Sequence, residues 1–91
     1  MAKQKDKLPR PTDAELAILR VLWRHGPSTV RQVRDVINAE RPTGYTTVLK
    51  LMQIMTEKGL VTRDESRRTH VYRPRFPAEG TQRQLVADLL E

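Results

Sequence analysis

Three side chains near the middle of the chain could read a nucleic acid. Thr46 and Thr47 are adjacent, and Lys50 follows one helical turn later. A threonine hydroxyl donates to or accepts from a base edge, its methyl can touch a thymine methyl, and a lysine reaches a guanine or a phosphate. Thr43, Gly44 and Tyr45 lead into this group, so Thr43, Gly44, Tyr45, Thr46, Thr47 and Lys50 form the first candidate DNA-contacting set. A plainer reading stays open, in which Thr43 and Thr46 are helix caps and Thr47 is solvated. A second set is cationic: Arg63, Arg67, Arg68 and His70. Such residues suit phosphates or a narrow minor groove. Because Asp64 and Glu65 lie among them, the stretch also reads as a solvated turn with self-compensating charge.

Other chemistries find little support. The chain has no cysteine, which excludes disulfides, thiolate metal sites and a cysteine nucleophile. His25 and His70 are the two histidines, and neither falls in a metal-ligand spacing. The adjacent carboxylates Asp64 and Glu65 would face opposite ways on a strand. No Gly-rich phosphate loop occurs. We therefore expect no catalysis, no metal and no cofactor. His25 is expected to decorate the end of a helix, where positive charge is favoured.

The chain has 91 residues, the length of one small domain. Lys plus Arg number 17 against 11 acids, a net charge of +6, which points to nucleic acid or another anionic partner. Aromatics are only 4%, a poor basis for stacking single-stranded bases. No stretch approaches the roughly 20 apolar residues that span a bilayer. Residues 1–7 lack the apolar core of a signal peptide. The expectation is a cytoplasmic protein with no membrane partner.

The elements that must position these residues are well signposted. Residues 1–11 are polar and basic and read as a disordered arm, either solubilising or touching DNA phosphate. Thr12 with Glu15 makes a capping box, Leu16, Leu19, Leu22 and Trp23 recur at helical spacing, and Gly26-Pro27 stops the first helix. A second helix starts near Ser28 or Thr29, where Thr29 and Gln32 repeat the capping pattern. It carries Val30, Val33 and Val36/Ile37 on one stripe and ends before Pro42. A third helix runs from about Tyr45 to Lys58 with Gly59 as its C-cap. Val48, Leu51, Met52 and Met55 form its buried face, and Thr46, Thr47, Lys50, Gln53 and Glu57 its polar one. Leu60–Arg63 and Val71–Arg73 read as a hairpin around the polar turn 64–68, and Pro74 and Pro77 end its second strand. Residues 78–91 read as a last helix with Leu85, Val86, Leu89 and Leu90 on one stripe.

Helix, helix, helix, basic hairpin, helix is the order of a winged helix-turn-helix. The fold expected is mainly α with a small β-hairpin: a three-helix core, a two-stranded wing and a C-terminal helix. The domains are the arm 1–11, the winged helix 12–76 and the helix 77–91. In this geometry the third helix, residues 44–58, enters a major groove about 12 Å wide, and the wing, residues 63–70, lies on the backbone or minor groove.

Several segments carry a family likeness. Residues 11–23 (PTDAELAILRVLW), 28–33 (STVRQV), 44–48 (GYTTV), 57–61 (EKGLV) and 70–74 (HVYRP) resemble the penicillinase repressor family, the BlaI/MecI/CopY transcriptional regulators, over roughly residues 11–91. The resemblance implies a bacterial repressor. It would bind a palindromic operator with TACA/TGTA-like half-sites as a homodimer, joined through a C-terminal helical region. Leu85, Val86, Leu89 and Leu90 would then lead into the dimerisation region. In relatives with a Ser-Pro-Lys-Thr turn, the lysine and threonine correspond to Thr46 and Thr47. The threonine one turn later corresponds to Lys50, and many relatives carry arginine at the position of Ile54. Thr47 keeps its type; Thr46 and Lys50 depart from the pattern, so the half-site is not carried over. Relatives usually continue for some tens of residues past the position of Glu91, so a truncated chain is expected. The family also implies a sensor protease as partner in some branches. Copper sensing through C-terminal cysteines does not carry over. Two rival readings are a winged-helix module that binds protein and a ligand-sensing regulator of another winged-helix family.

Overall fold

Thr12 and Glu15 cap the first helix reciprocally. In the computed structural model, which describes residues 10–78, the Glu15 N–H donates to Thr12 Oγ1 at 3.2 Å and the Thr12 N–H donates to Glu15 Oε1 at 2.9 Å. Helix α1 (Asp13–His25) follows, with Asp13 and Glu15 at its positive end and Arg24 and His25 in its last turn. Gly26, at φ +85°, donates its N–H to the Leu22 carbonyl and turns the chain out of the helix.

Helix α2 (Val30–Glu40) repeats the device: Thr29 and Gln32 form a second capping box. It closes at Arg41, which is extended, as a residue before proline prefers. Helix α3 (Tyr45–Lys58) starts from Gly44 and ends at Gly59, whose left-handed backbone (φ +83°, ψ 17°) sends its N–H back to the Met55 and Thr56 carbonyls.

One expected cap is not made. Gly44, not Thr43, is the N-cap of α3, and no side chain caps that helix end. Thr43 instead faces back toward α2: its hydroxyl donates to the Arg41 carbonyl at 2.8 Å and its N–H to Asn38 Oδ1 at 2.9 Å.

Strands β1 (Val61–Asp64) and β2 (Val71–Pro74) pair antiparallel, with Arg63 opposite Tyr72 and Pro74 on the last rung opposite Val61. Tyr72 pairs on its other side with Ser28, exchanging hydrogen bonds of 2.8 and 3.0 Å. The sequence does not announce this rung, because a single bridge residue carries no alternation to detect. It fixes the hairpin to the turn between α1 and α2.

The core draws Ile18, Leu19, Val21 and Leu22 from α1, Val30 and Val33 from α2, and Val48, Met52 and Met55 from α3. Leu60, Val61 and Tyr72 complete it. The buried arc of α1 is displaced from the expected stripe: Ile18 and Val21 are buried, and Leu16 and Trp23 are half-buried. The cause is that α1 packs against α2, α3 and β2 together, so more than one stripe is covered. Leu51 of α3 is likewise only half-buried, and Leu49, which was not expected to pack, lies against the core. The expected helix 78–91, with Leu85, Val86, Leu89 and Leu90, and residues 1–9 of the arm lie outside the described residues.

Candidate nucleic-acid interface

The start of α3 is set by the segment before it. Arg34 Nε of α2 donates to the Thr43 carbonyl at 3.1 Å, and Asn38 holds the Thr43 N–H. Two α2 side chains thereby fix the turn from which α3 departs. Burial of Val48, Met52 and Met55 then fixes the rotation of α3 about its axis. At about 100° per residue, Thr46, Thr47 and Lys50 fall on the opposite, exposed face. Gly44 is exposed and Tyr45 is 47% exposed, the sole large hydrophobic side chain so open among the described residues.

The wing is ordered by its own acids. Asp64 Oδ1 accepts the Ser66 N–H at 2.9 Å, an Asx turn at the tip. That bond, with the Ser66 hydroxyl and the nearby Arg73 and Arg67 charges, holds the Asp64 carboxyl below the usual carboxylate range. Arg63 is gripped by Glu65, at 2.6 Å from Nε and 2.5 Å from a terminal nitrogen. The Tyr72 hydroxyl and the Glu65 carboxylate raise the Arg63 guanidinium above its ordinary value. The acids of the wing are therefore matched to Arg63 and, at 4.0 Å, Arg73. Arg67 and Arg68 make no ion pair among the described residues and are exposed, as is His70. Local charge compensation, expected as one alternative for the whole turn, takes the form of close ion pairs at Arg63 and Arg73, while Arg67 acts on Asp64 only through its nearby charge.

The fold brings part of each candidate set together. A groove of about 590 Å³ lies between the first turns of α2 and α3 and the rising limb of the wing, and Tyr45, Arg68 and His70 line it. Arg31 of α2 and Leu49 of α3 also line it, residues that sequence reasoning left out. The signal for Arg31 was present: a cation in the first turn of a helix with no acid there. Arg63 does not reach this groove, and neither Thr46, Thr47 nor Lys50 lines it. No group of three or more metal-binding side chains occurs among the described residues. No helix among them is long and apolar enough to cross a membrane.

Beyond the wing the chain is tied back onto the core. The Arg75 N–H donates to the Leu60 carbonyl at 3.0 Å, and Trp23 Nε1 donates to the Phe76 carbonyl at 3.0 Å.

Comparison with known proteins agrees with this architecture. The chain is 42% identical over 69 residues to the transcriptional regulator BlaI of Mycobacterium tuberculosis, in strains CDC 1551 / Oshkosh and ATCC 25618 / H37Rv. The match takes in 75% of this chain and 50% of that protein, so the chain spans about half the length of these curated relatives. Its fold resembles the solution structure of the DNA-binding domain of the repressor BlaI (TM-score 0.69, 24% identity, 79% of this chain and 88% of that one). It also resembles Bacillus licheniformis BlaI in its monomeric form in complex with the blaP half-operator (TM-score 0.68, 23% identity, 80% and 89%). At these identities the likeness is one of fold, and that fold is the winged helix-turn-helix. The sequence model of the penicillinase repressor family matches residues 11–91, and the chain belongs to that family.

Proposed function

We propose that the chain is the DNA-binding part of a bacterial transcriptional repressor that occupies a palindromic operator as a dimer and excludes polymerase. The observation that carries this reading is the exposed Thr46-Thr47-Lys50 face of α3, set beside a wing whose tip arginines are exposed and make no ion pair among the described residues. Helix α3 enters the major groove, where Thr47 and Lys50 meet base edges. Arg67, Arg68 and His70 hold phosphates or the minor groove. Family membership supports the repressor role, as does a structural neighbour solved on a half-operator. The protein works in the cytoplasm and is not an enzyme. Residues 77–91, through Leu85, Val86, Leu89 and Leu90, lead into the dimerisation region, and a sensor protease acts on the full-length repressor in some branches of the family.

The test is Thr47→Ala and Lys50→Ala, with folding checked by circular dichroism. Each is expected to weaken operator binding by about 1–3 kcal/mol while leaving the melting temperature within a few degrees of the parent. Unchanged operator affinity in both would overturn the assignment of α3 and favour a protein-binding module instead.

A further inference from the structure

We propose that Asn38, on α2, is a positioning residue for sequence reading: with Arg34 it holds Thr43 by both backbone groups, and this clasp sets how well α3 tells one DNA sequence from another. The inference rests on the DNA-reading role of α3 proposed above and deepens it by naming what aims the helix.

The first turn of α3 overhangs the core. The first buried side chain of the helix is Val48, so Tyr45, Thr46 and Thr47 lie ahead of the part that packing holds. From Arg41 to Thr47 every residue is exposed except Thr43, which is half-buried. Gly44 joins Thr43 to the helix; it offers no side-chain cap, and a Cβ there would stand in open space. A glycine at this joint adds backbone freedom. Burial of Val48, Met52 and Met55 sets the rotation of α3 but leaves its reading turn to be held from the N-terminal side.

Thr43 is where that hold is made. Its N–H donates to Asn38 Oδ1 at 2.9 Å, and its carbonyl accepts from Arg34 Nε at 3.1 Å. Its hydroxyl donates to the Arg41 carbonyl at 2.8 Å and closes the turn on itself. Asn38 and Arg34 stand four residues apart, on one face of α2, and α2 is anchored in the core by Val30 and Val33. The clasp therefore ties the reading turn to a packed helix. Hydrogen bonds to base edges need side chains held to within about 0.5 Å. Phosphate attraction acts over roughly 10 Å at 0.1 M salt and tolerates looser placement. Asn38 is neutral and exposed, so its loss changes neither the charge facing DNA nor the core.

The experiment is fluorescence anisotropy on a TACA/TGTA palindrome and a scrambled duplex, with wild type, Asn38→Ala and Asn38→Asp, together with amide hydrogen exchange of the Thr43 N–H by NMR. Without the acceptor the turn samples other arrangements, and the palindrome must select one of them on binding. Asn38→Ala is expected to lower the palindrome-to-scrambled affinity ratio by about fivefold, the worth of one hydrogen bond. Its affinity for the scrambled duplex and its salt slope should match wild type, its melting temperature should stay within a few degrees, and its Thr43 N–H should exchange faster. Asn38→Asp keeps the acceptor and should restore the ratio, although its charge weakens both duplexes alike. An equal loss on both duplexes in Asn38→Ala, or a ratio that Asn38→Asp does not restore, overturns the inference. If wild type discriminates and Asn38→Ala keeps the same ratio, the clasp fails and reading by α3 stands. If wild type does not discriminate, reading by α3 fails and the clasp with it.

Discussion

Lys58 Nζ donates to Glu15 Oε1 at 2.7 Å, and the same oxygen accepts the Thr12 N–H at 2.9 Å. One carboxylate thus starts α1 and holds the far end of α3, the helix whose first turns carry the candidate DNA contacts. The Glu15 side chain is 3% exposed and that of Lys58 34%. Loss of Lys58 would leave that buried carboxylate with only the Thr12 N–H, whereas loss of Glu15 would leave an ammonium that keeps part of its hydration but would also remove the α1 capping box.

Because Glu15 carries both the pair and the cap, its loss is expected to be the larger one. Glu15→Ala removes a capping box and a buried ion-pair partner, and should cost about 2–3 kcal/mol. Lys58→Ala leaves Glu15 with the Thr12 N–H and should cost about 1 kcal/mol. In a domain of this size each kcal/mol is about 4–8 °C of melting temperature. Thermal melts of both variants give the order, and a larger loss for Lys58→Ala would contradict it.

Stability should also fall in acid through the same group. Burial alone would raise the Glu15 carboxyl, but the Lys58 ammonium and the Thr12 backbone N–H outweigh it and hold it below its ordinary value. A carboxyl whose folded value is depressed contributes stability that is fully present above its unfolded value and is lost as pH falls through the folded one. Melting temperature should therefore hold steady near neutrality and decline below the usual carboxylate range. Glu15→Gln should be less stable at pH 7 and show a shallower acid decline, readable by circular dichroism.

The two glycines that flank α3 should respond oppositely. Gly59 is left-handed, and a Cβ there would meet an Arg75 guanidinium nitrogen at 3.0 Å. Gly59→Ala should cost about 1 kcal/mol or more. Gly44 has an ordinary backbone (φ −79°), and a Cβ there would stand in open space. Gly44→Ser supplies the side-chain cap that α3 lacks and should add a few tenths of a kcal/mol. Chemical denaturation of the two variants checks both signs.

The tip of the wing should report through salt. Arg67→Ala and Arg68→Ala are each expected to lower the log–log salt slope of DNA binding by about one, with little change in thermal stability. Slopes equal to the parent would make the tip a solvated turn with no role in binding.

What the sequence made legible is what neighbouring residues determine. Both capping boxes, the stops at Gly26 and Gly59, the hairpin and the exposed face of α3 all rest on contacts within a few positions. The rest depends on residues far apart in the chain. Neither the Ser28–Tyr72 rung nor the Glu15–Lys58 pair has a local pattern, and Ile18 and Val21 are buried only because several elements meet on α1. Thr43 looked like a cap because its hydroxyl stands beside a helix start, but Asn38 and the Arg41 carbonyl engage it first. In the candidate site, the α3 set and the wing arginines were legible as types. Their meeting with Arg31 across one groove depended on the packing of α2 against α3.

Sequence reading by α3 is tested most directly by the affinity of the wild-type chain for a TACA/TGTA palindrome against a scrambled duplex of equal length, measured at matched salt. The palindrome is expected to bind at least about tenfold tighter, roughly 1.4 kcal/mol. Equal affinity with the same steep salt dependence would leave only phosphate attraction and would contradict sequence reading by α3.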